Sequence, residues 1–135
     1  MKAITLWQPW ATLIALNLKH FETRSWATNY RGPLAIHAAK RKADNSEMND
    51  TIRKCLMSAG YEHYVSDLPY GCVVCTVTLA AVYPTEQATN LPFFAIRERW
   101  FGDFTPGRFA WRLDNVLQVA NAPARGSQGF WEWQP

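Results

Sequence analysis

Along this chain, short stretches of alternating apolar and polar residues are separated by segments whose apolar residues recur at helical spacing. Ala3 to Leu6 reads as a short strand, and Pro9 fits the first turn of an apolar helix running to about Asn17, a C-cap residue. Phe21 to Trp26 is strand-like, Tyr30-Arg31-Gly32-Pro33 is a turn, and Leu34 to Ala38 is a buried strand. Asp44 to Ser58 reads as one helix, capped by Asp44, striped by Ile52, Cys55 and Leu56, and followed by Gly60. The longest strand candidate, Gly71 to Tyr83, has mixed faces, as expected of a central, curved strand, and Pro84 ends it. Thr85 opens a short helix, and Phe93 to Phe101 is helical before Gly102. From Arg108 to Leu113, Phe109, Trp111 and Leu113 alternate with Arg108, Ala110 and Arg112; Leu117 to Ala120 and Phe130 to Trp133 are shorter strands around the loop ARGSQG. Together these elements predict an α+β fold: a mixed, mainly antiparallel β-barrel with peripheral helices over its openings.

Composition narrows the class. With 135 residues, 48% of them hydrophobic and 14% aromatic, the chain suits one domain spanning residues 1–135 with a real core. The longest apolar stretch, Ala11 to Leu18, is interrupted by Thr12 and Asn17 and falls short of the ~20 residues of a membrane span. Met1-Lys2 runs straight into AITLWQPW without a secretory pattern, so a cytoplasmic location and no membrane partner are expected. Three cysteines leave an odd thiol in any pairing, and Cys72-Val-Val-Cys75 lies on a β-branched run where residues three apart point to opposite faces. Buried, reduced thiols are the expectation. His20 and His63 show no ligand spacing, so neither a structural metal nor a cofactor is expected.

The net charge of +3 is mild but uneven: residues 1–55 hold nine Lys/Arg against four Asp/Glu, residues 56–135 five against seven. The basic half contains LNLKHFETRSW, residues 16–26, where three charges gather among apolar neighbours. On a strand, Glu22 and Arg24 share a face; Lys19 joins them only from a corner where helix gives way to strand. Arg24 offers a planar fork to a phosphate or carboxylate, or an ion pair to Glu22. Glu22 is either a catalytic or base-reading carboxylate or the partner that holds Arg24. Lys19, without an ideally placed partner, is read as functional.

Around this segment, Trp7 and Trp26 either stack on a base or pack, and Gln8 carries an amide able to read a base edge. Trp10, Trp111, Trp131 and Trp133 are assigned to the core or the barrel wall. His37, in LAIHAAK, is a core histidine or looks into the same cleft. Lys40-Arg41-Lys42 is a solvated helix entrance or a grip on flanking phosphates.

LNLKHFETR resembles the GxKxxExR signature of ASCH domains, with Lys19, Glu22 and Arg24 in place and Asn17 where glycine is usual. LWQPWATLIAL resembles that family's strand-to-helix entry, YRGPLAIHAAK its next strand, and RFAWRL with GFWEW its closing strands, so the similarity runs essentially end to end. The resemblance implies a PUA-like barrel with a cleft beside the signature. It implies RNA, a nucleotide or a nucleoside as partner, and for some members ribonuclease or N4-acetylcytidine amidohydrolase activity. Fold alone does not choose among these.

Two functions follow as expectations. As a binding module, the domain holds a nucleotide in a cleft of Lys19, Arg24, Trp7, Gln8 and Trp26, with His37 and Lys40 beside it. As a hydrolase, the same cleft uses Lys19 and Glu22 to activate a water or a ribose hydroxyl. Amidohydrolases resembling this family place a nucleophilic threonine three residues after the lysine, where this chain has Glu22; Thr23 would face away on a strand. That departure puts the amidohydrolase third, behind RNA binding and RNA cleavage.

Overall fold

A computed structural model describes all residues, 1–135, as a mixed six-stranded sheet with helices packed against it. The strands are β1 (Lys2–Leu6), β2 (Phe21–Arg24), β3 (Gly32–Ala38), β4 (Cys72–Pro84), β5 (Phe109–Pro123) and β6 (Trp131–Glu132), and the helices are α1 (Trp10–Ala15), α2 (Asp50–Ser58), α3 (Tyr64–Asp67) and α4 (Thr85–Ala88). The spatial order is β2-β5-β4-β3-β1-β6. Only β1 and β3 run parallel, and α1 with β2 supplies the long connection such a pair requires. No helix is long and apolar enough to cross a membrane.

Six strands laid flat would hold their edges roughly 24 Å apart. Yet Trp26, just after edge strand β2, lies edge-on to Phe130, just before edge strand β6, with ring centroids 5.5 Å apart. The sheet therefore curls until its two edges meet. Side chains bridge the seam in place of a backbone ladder: Trp111 and Phe130 pack at 5.7 Å, and Arg24 donates from Nη2 to the Thr5 carbonyl at 3.0 Å. Ile4, Leu34, Ile36, Val77, Leu79, Trp111 and Leu113 fill the interior, closed by Ala11 and Ile14 of α1. Leu13, on another side of α1, packs with Ile52 and Leu56 of α2 and with Phe101.

Several local expectations change. Asp44 caps only a 3-10 turn, Asn45–Glu47; the chain extends at Met48, and Asn49 caps α2 by accepting from Ile52 N. Two polar residues able to bind their own backbone thus break one expected helix into two. Phe93 to Phe101 contains a 3-10 helix only at Ile96–Trp100. The predicted strands at Arg108 to Leu113 and Leu117 to Ala120 are one strand, β5, because Asn115 takes a φ of 54° within the run while pairing with β4 resumes beyond it. The opposite-face expectation for the cysteines fails: pairing shifts on both sides of Val74, and Cys72 and Cys75 face the same apolar cluster. Burial pushes the Cys75 thiol up to about 12.

At the end of α1, Asn17 has a φ of 60°. That left-handed turn explains why glycine is usual there and why asparagine is tolerated. It lets both Leu18 N and Lys19 N donate to the Leu13 carbonyl, at 3.0 and 3.1 Å, so Lys19 stands at the predicted corner between helix and strand.

Candidate nucleic-acid interface

The signature segment gathers its charges, but not in the roles expected of all three. Lys19 has 0% side-chain exposure and lines neither of the two large clefts. Its Nζ donates to the Phe101 carbonyl at 2.6 Å and lies 3.6 Å from Glu22 Oε1. Burial drives its pKa below the ordinary lysine value, opposed by the Glu22 and Glu98 carboxylates. The expected ammonium pointing into a cleft is therefore corrected: it anchors the loop at Phe101.

Glu98 was not singled out from the sequence, where it falls within the helix expected from Phe93 to Phe101. It is 1% exposed, accepts from His20 N at 2.9 Å and Phe21 N at 3.3 Å, and meets His20 Nδ1 at 3.1 Å. The carboxylate thus holds the start of β2 to the 3-10 helix. That hydrogen bond raises the His20 pKa.

Glu22 reaches both ways, to Lys19 and, through Oε2, to Arg24 Nε at 3.4 Å. The shared strand face expected of Glu22 and Arg24 is present. Arg24 differs from Lys19 in being open. Its Nη2 has the Thr5 carbonyl, its buried Nε has no aligned hydrogen-bond acceptor, and its Nη1 has none at all. Arg24, Thr5, Trp7 and Trp26 line both clefts, so the two form one groove with Arg24 in its floor.

The groove's halves have different chemistry. The first, about 840 Å³, is lined by Trp7, Trp10, Trp26 and Trp100 and balances Glu22, Glu47 and Asp103 against Arg24, Arg99 and Arg108. Trp7 is 51% and Trp100 56% exposed, so both offer an open ring. The Arg41 guanidinium lies 3.9 Å from the Trp7 ring centre while bridging to Glu47 at 2.8 Å, which holds that indole in place. Trp26 combines the expected alternatives, packing on Trp111 and Phe130 while lining the groove. Trp100 escaped notice because it falls in the supposed helix.

The second half, about 680 Å³, carries Arg24, Lys40 and Arg125 and no carboxylate. Lys40 reaches it by laying its stem over Gly71, where an added Cβ would come within 3.1 Å of Lys40 Cγ. Of its basic neighbours, Arg41 serves Trp7 and Glu47, and Lys42 sits over Tyr70. His37 also lines this half but is nearly buried, held between Thr5 Oγ1 at 3.1 Å and the Ala124 carbonyl at 2.7 Å.

Gln8 is corrected outright as a base-reading amide. It is fully buried and lines neither half of the groove; Nε2 donates to Thr12 Oγ1 and the Pro69 carbonyl, and Oε1 accepts from Thr12 N. It caps α1 from inside. Thr23 is held by Asp103 N, which donates to its Oγ1. No group of three or more His, Cys, Asp or Glu is placed to hold a metal ion.

Comparison with known proteins agrees with this architecture. Human activating signal cointegrator 1 is 32% identical over 77 residues, and the mouse protein 31% over the same length; the aligned part is 56% of this chain but only 13% of either relative. Crystal structures of the ASCH protein from Zymomonas mobilis superpose with TM-scores of 0.54 for the unmutated protein and 0.51 for a point mutant of it, at 14% identity. They cover 90% of this chain and 72% and 74% of those chains, a likeness of fold. The ASCH domain profile matches residues 4–111, and the chain belongs to the ASCH domain family, with its PUA-like α+β fold.

Proposed function

We propose that this domain binds single-stranded RNA along the groove centred on Arg24. Bases stack in the tryptophan-lined half, on Trp7 and Trp100 with Trp26 behind them, and the backbone phosphate enters the half carrying Arg24, Lys40 and Arg125. The observation that carries this reading is the Arg24 guanidinium, partly exposed and lining both halves, where an aromatic surface meets one whose only charged residues are cations. A guanidinium fork suits a phosphate, and removing carboxylates from one half favours an anion there. Family membership points to the same class of partner. Because few cations are involved, affinity is modest and falls with salt.

The test is fluorescence anisotropy of a labelled single-stranded RNA, repeated over a salt series and with a duplex of the same sequence. Saturable binding to the single strand, weakened by salt and by Arg24→Ala, is the expected result. Equal affinity for the duplex, or indifference to Arg24, overturns it.

A further inference from the structure

Thr5 and His37 are direct partners across the parallel β1–β3 pairing. His37 Nε2 is 2.7 Å from the Ala124 carbonyl, which only accepts, so that nitrogen carries the hydrogen. In the neutral ring Nδ1 then holds the lone pair, and it faces Thr5 Oγ1 at 3.1 Å. The hydroxyl therefore donates to His37, while the Trp131 indole N–H donates to the same oxygen at 3.0 Å. Burial lowers the His37 pKa below its ordinary value, which keeps the ring unprotonated near neutral pH. A hydroxyl, a base and a group that orients the base thus stand in line.

The surroundings add to this. Gly126 lies against the pair so closely that a Cβ would sit 2.5 Å from Thr5 Oγ1 and 2.6 Å from His37 Cε1. The Arg125–Gly129 loop lines the same cleft as the pair, and none of its backbone N–H groups donates to a protein acceptor. Arg24, Lys40 and Arg125 line the same space.

We propose that Thr5 and His37 form a nucleophile–base pair that hydrolyses acyl esters of alcohols bearing a phosphate group. Thr5 Oγ1 bonds to the ester carbonyl carbon as its proton passes to His37 Nδ1, and the carbonyl oxygen becomes an oxyanion in the cleft whose charged residues are Arg24, Lys40 and Arg125. The C–O bond to the alcohol breaks, and the leaving oxygen takes the proton from His37. A water then attacks acyl-Thr5 with His37 again as base, releasing the carboxylic acid and the hydroxyl; the sum is ester plus water to acid plus alcohol. The cations hold the phosphate of the substrate and take no part in bond changes. This activity shares the cation-lined cleft with RNA binding but does not depend on it.

Two acetyl esters test it: 4-acetoxyphenyl phosphate and its neutral counterpart, phenyl acetate. Hydrolysis of the phosphate-bearing ester is expected to be faster at low concentration, with Arg125→Gln raising its KM several-fold. Thr5→Val and His37→Gln lower kcat by about two orders of magnitude, and Thr5→Ser retains turnover. Acid-quenched wild-type protein, digested and mapped by mass spectrometry, carries acetyl on Thr5, a readout that needs no variant to fold. Acetyl found only elsewhere, or equal rates from wild type and a folded Thr5→Val protein, overturns the proposal. Thr5-dependent hydrolysis by a protein that fails the RNA assay supports this pair and removes the RNA reading alone.

Discussion

The two ends of the signature segment carry the same formal charge in opposite circumstances. Lys19 is sealed beneath the Phe101 loop, while Arg24, five residues on, is partly exposed and lines both halves of the groove. Glu22 touches both, so one carboxylate compensates a buried ammonium and steadies an accessible guanidinium. A shared motif is therefore not a shared role. The buried charge holds the fold in register, and the accessible charge is available to a ligand.

The comparison breaks most visibly at Lys19. Lys19→Ala removes the donor to the Phe101 carbonyl and leaves Glu98 with less compensation, where breaking a buried ionic arrangement costs about 3–5 kcal/mol. A lowered thermal midpoint is expected, with RNA affinity of the remaining folded protein close to wild type. Calorimetry and anisotropy on the same sample check both; an unchanged melt with lost binding would return Lys19 to the ligand site. Glu22→Ala should lower stability as well, since it strips a partner from both cations.

Arg24 sharpens the other side. Arg24→Ala is expected to weaken single-stranded RNA binding by about 10- to 100-fold, the range for charge-assisted hydrogen bonds, and Arg24→Lys should not restore it because an ammonium lacks the planar fork. Anisotropy titrations decide this, and full rescue by lysine would reduce Arg24 to a point charge.

Much of this contrast lay beyond the sequence. The corner geometry was readable, because a strand places Glu22 and Arg24 on one face and Asn17 marks the turn before Lys19. The partner of Lys19 was not: Phe101 and Glu98 approach from about eighty residues away, through a 3-10 turn within the helix expected from Phe93 to Phe101. The sequence likewise left His37 between a core role and the cleft, and could not supply Thr5 or Ala124 as its partners. Gln8 misled for a local reason, since a polar side chain before a helix reads as exposed until its helix caps are counted. Alternation also failed at Val74 and Asn115, where bulges reset the phase without breaking the strand.

Within the groove, the aromatic half should respond differently from the cationic half. Trp100→Ala is expected to cost about 1–3 kcal/mol of RNA affinity at every salt concentration, as loss of a stacking platform does. Lys40→Ala and Arg125→Ala should each weaken binding less at high salt than at low salt and reduce the slope of log K against log salt by about one. Plots for the three variants against wild type separate the halves; a Trp100 variant that changes the slope, or cation variants that do not, would merge them.

The smallest effect lies at the sealed end, where His20 meets Glu98. The hydrogen bond to Glu98 raises the His20 pKa above 6.5; the carboxylate's charge adds to this, and desolvation and Arg97 oppose it. A histidine protonated more readily when folded contributes stability that is fully present below its unfolded pKa of about 6.5 and lost as pH rises through the higher folded value. The ring is 40% exposed, so solvent screens the pair and the change in melting temperature is small. Melts across this window should show wild type losing stability with rising pH more steeply than His20→Gln, while single-stranded RNA affinity follows no such difference, because His20 lines neither half of the groove. Parallel melting curves would detach His20 from Glu98. A pH-dependent loss of RNA affinity confined to wild type would mean instead that the sealed end communicates with the open one through Glu22 and the β2 backbone.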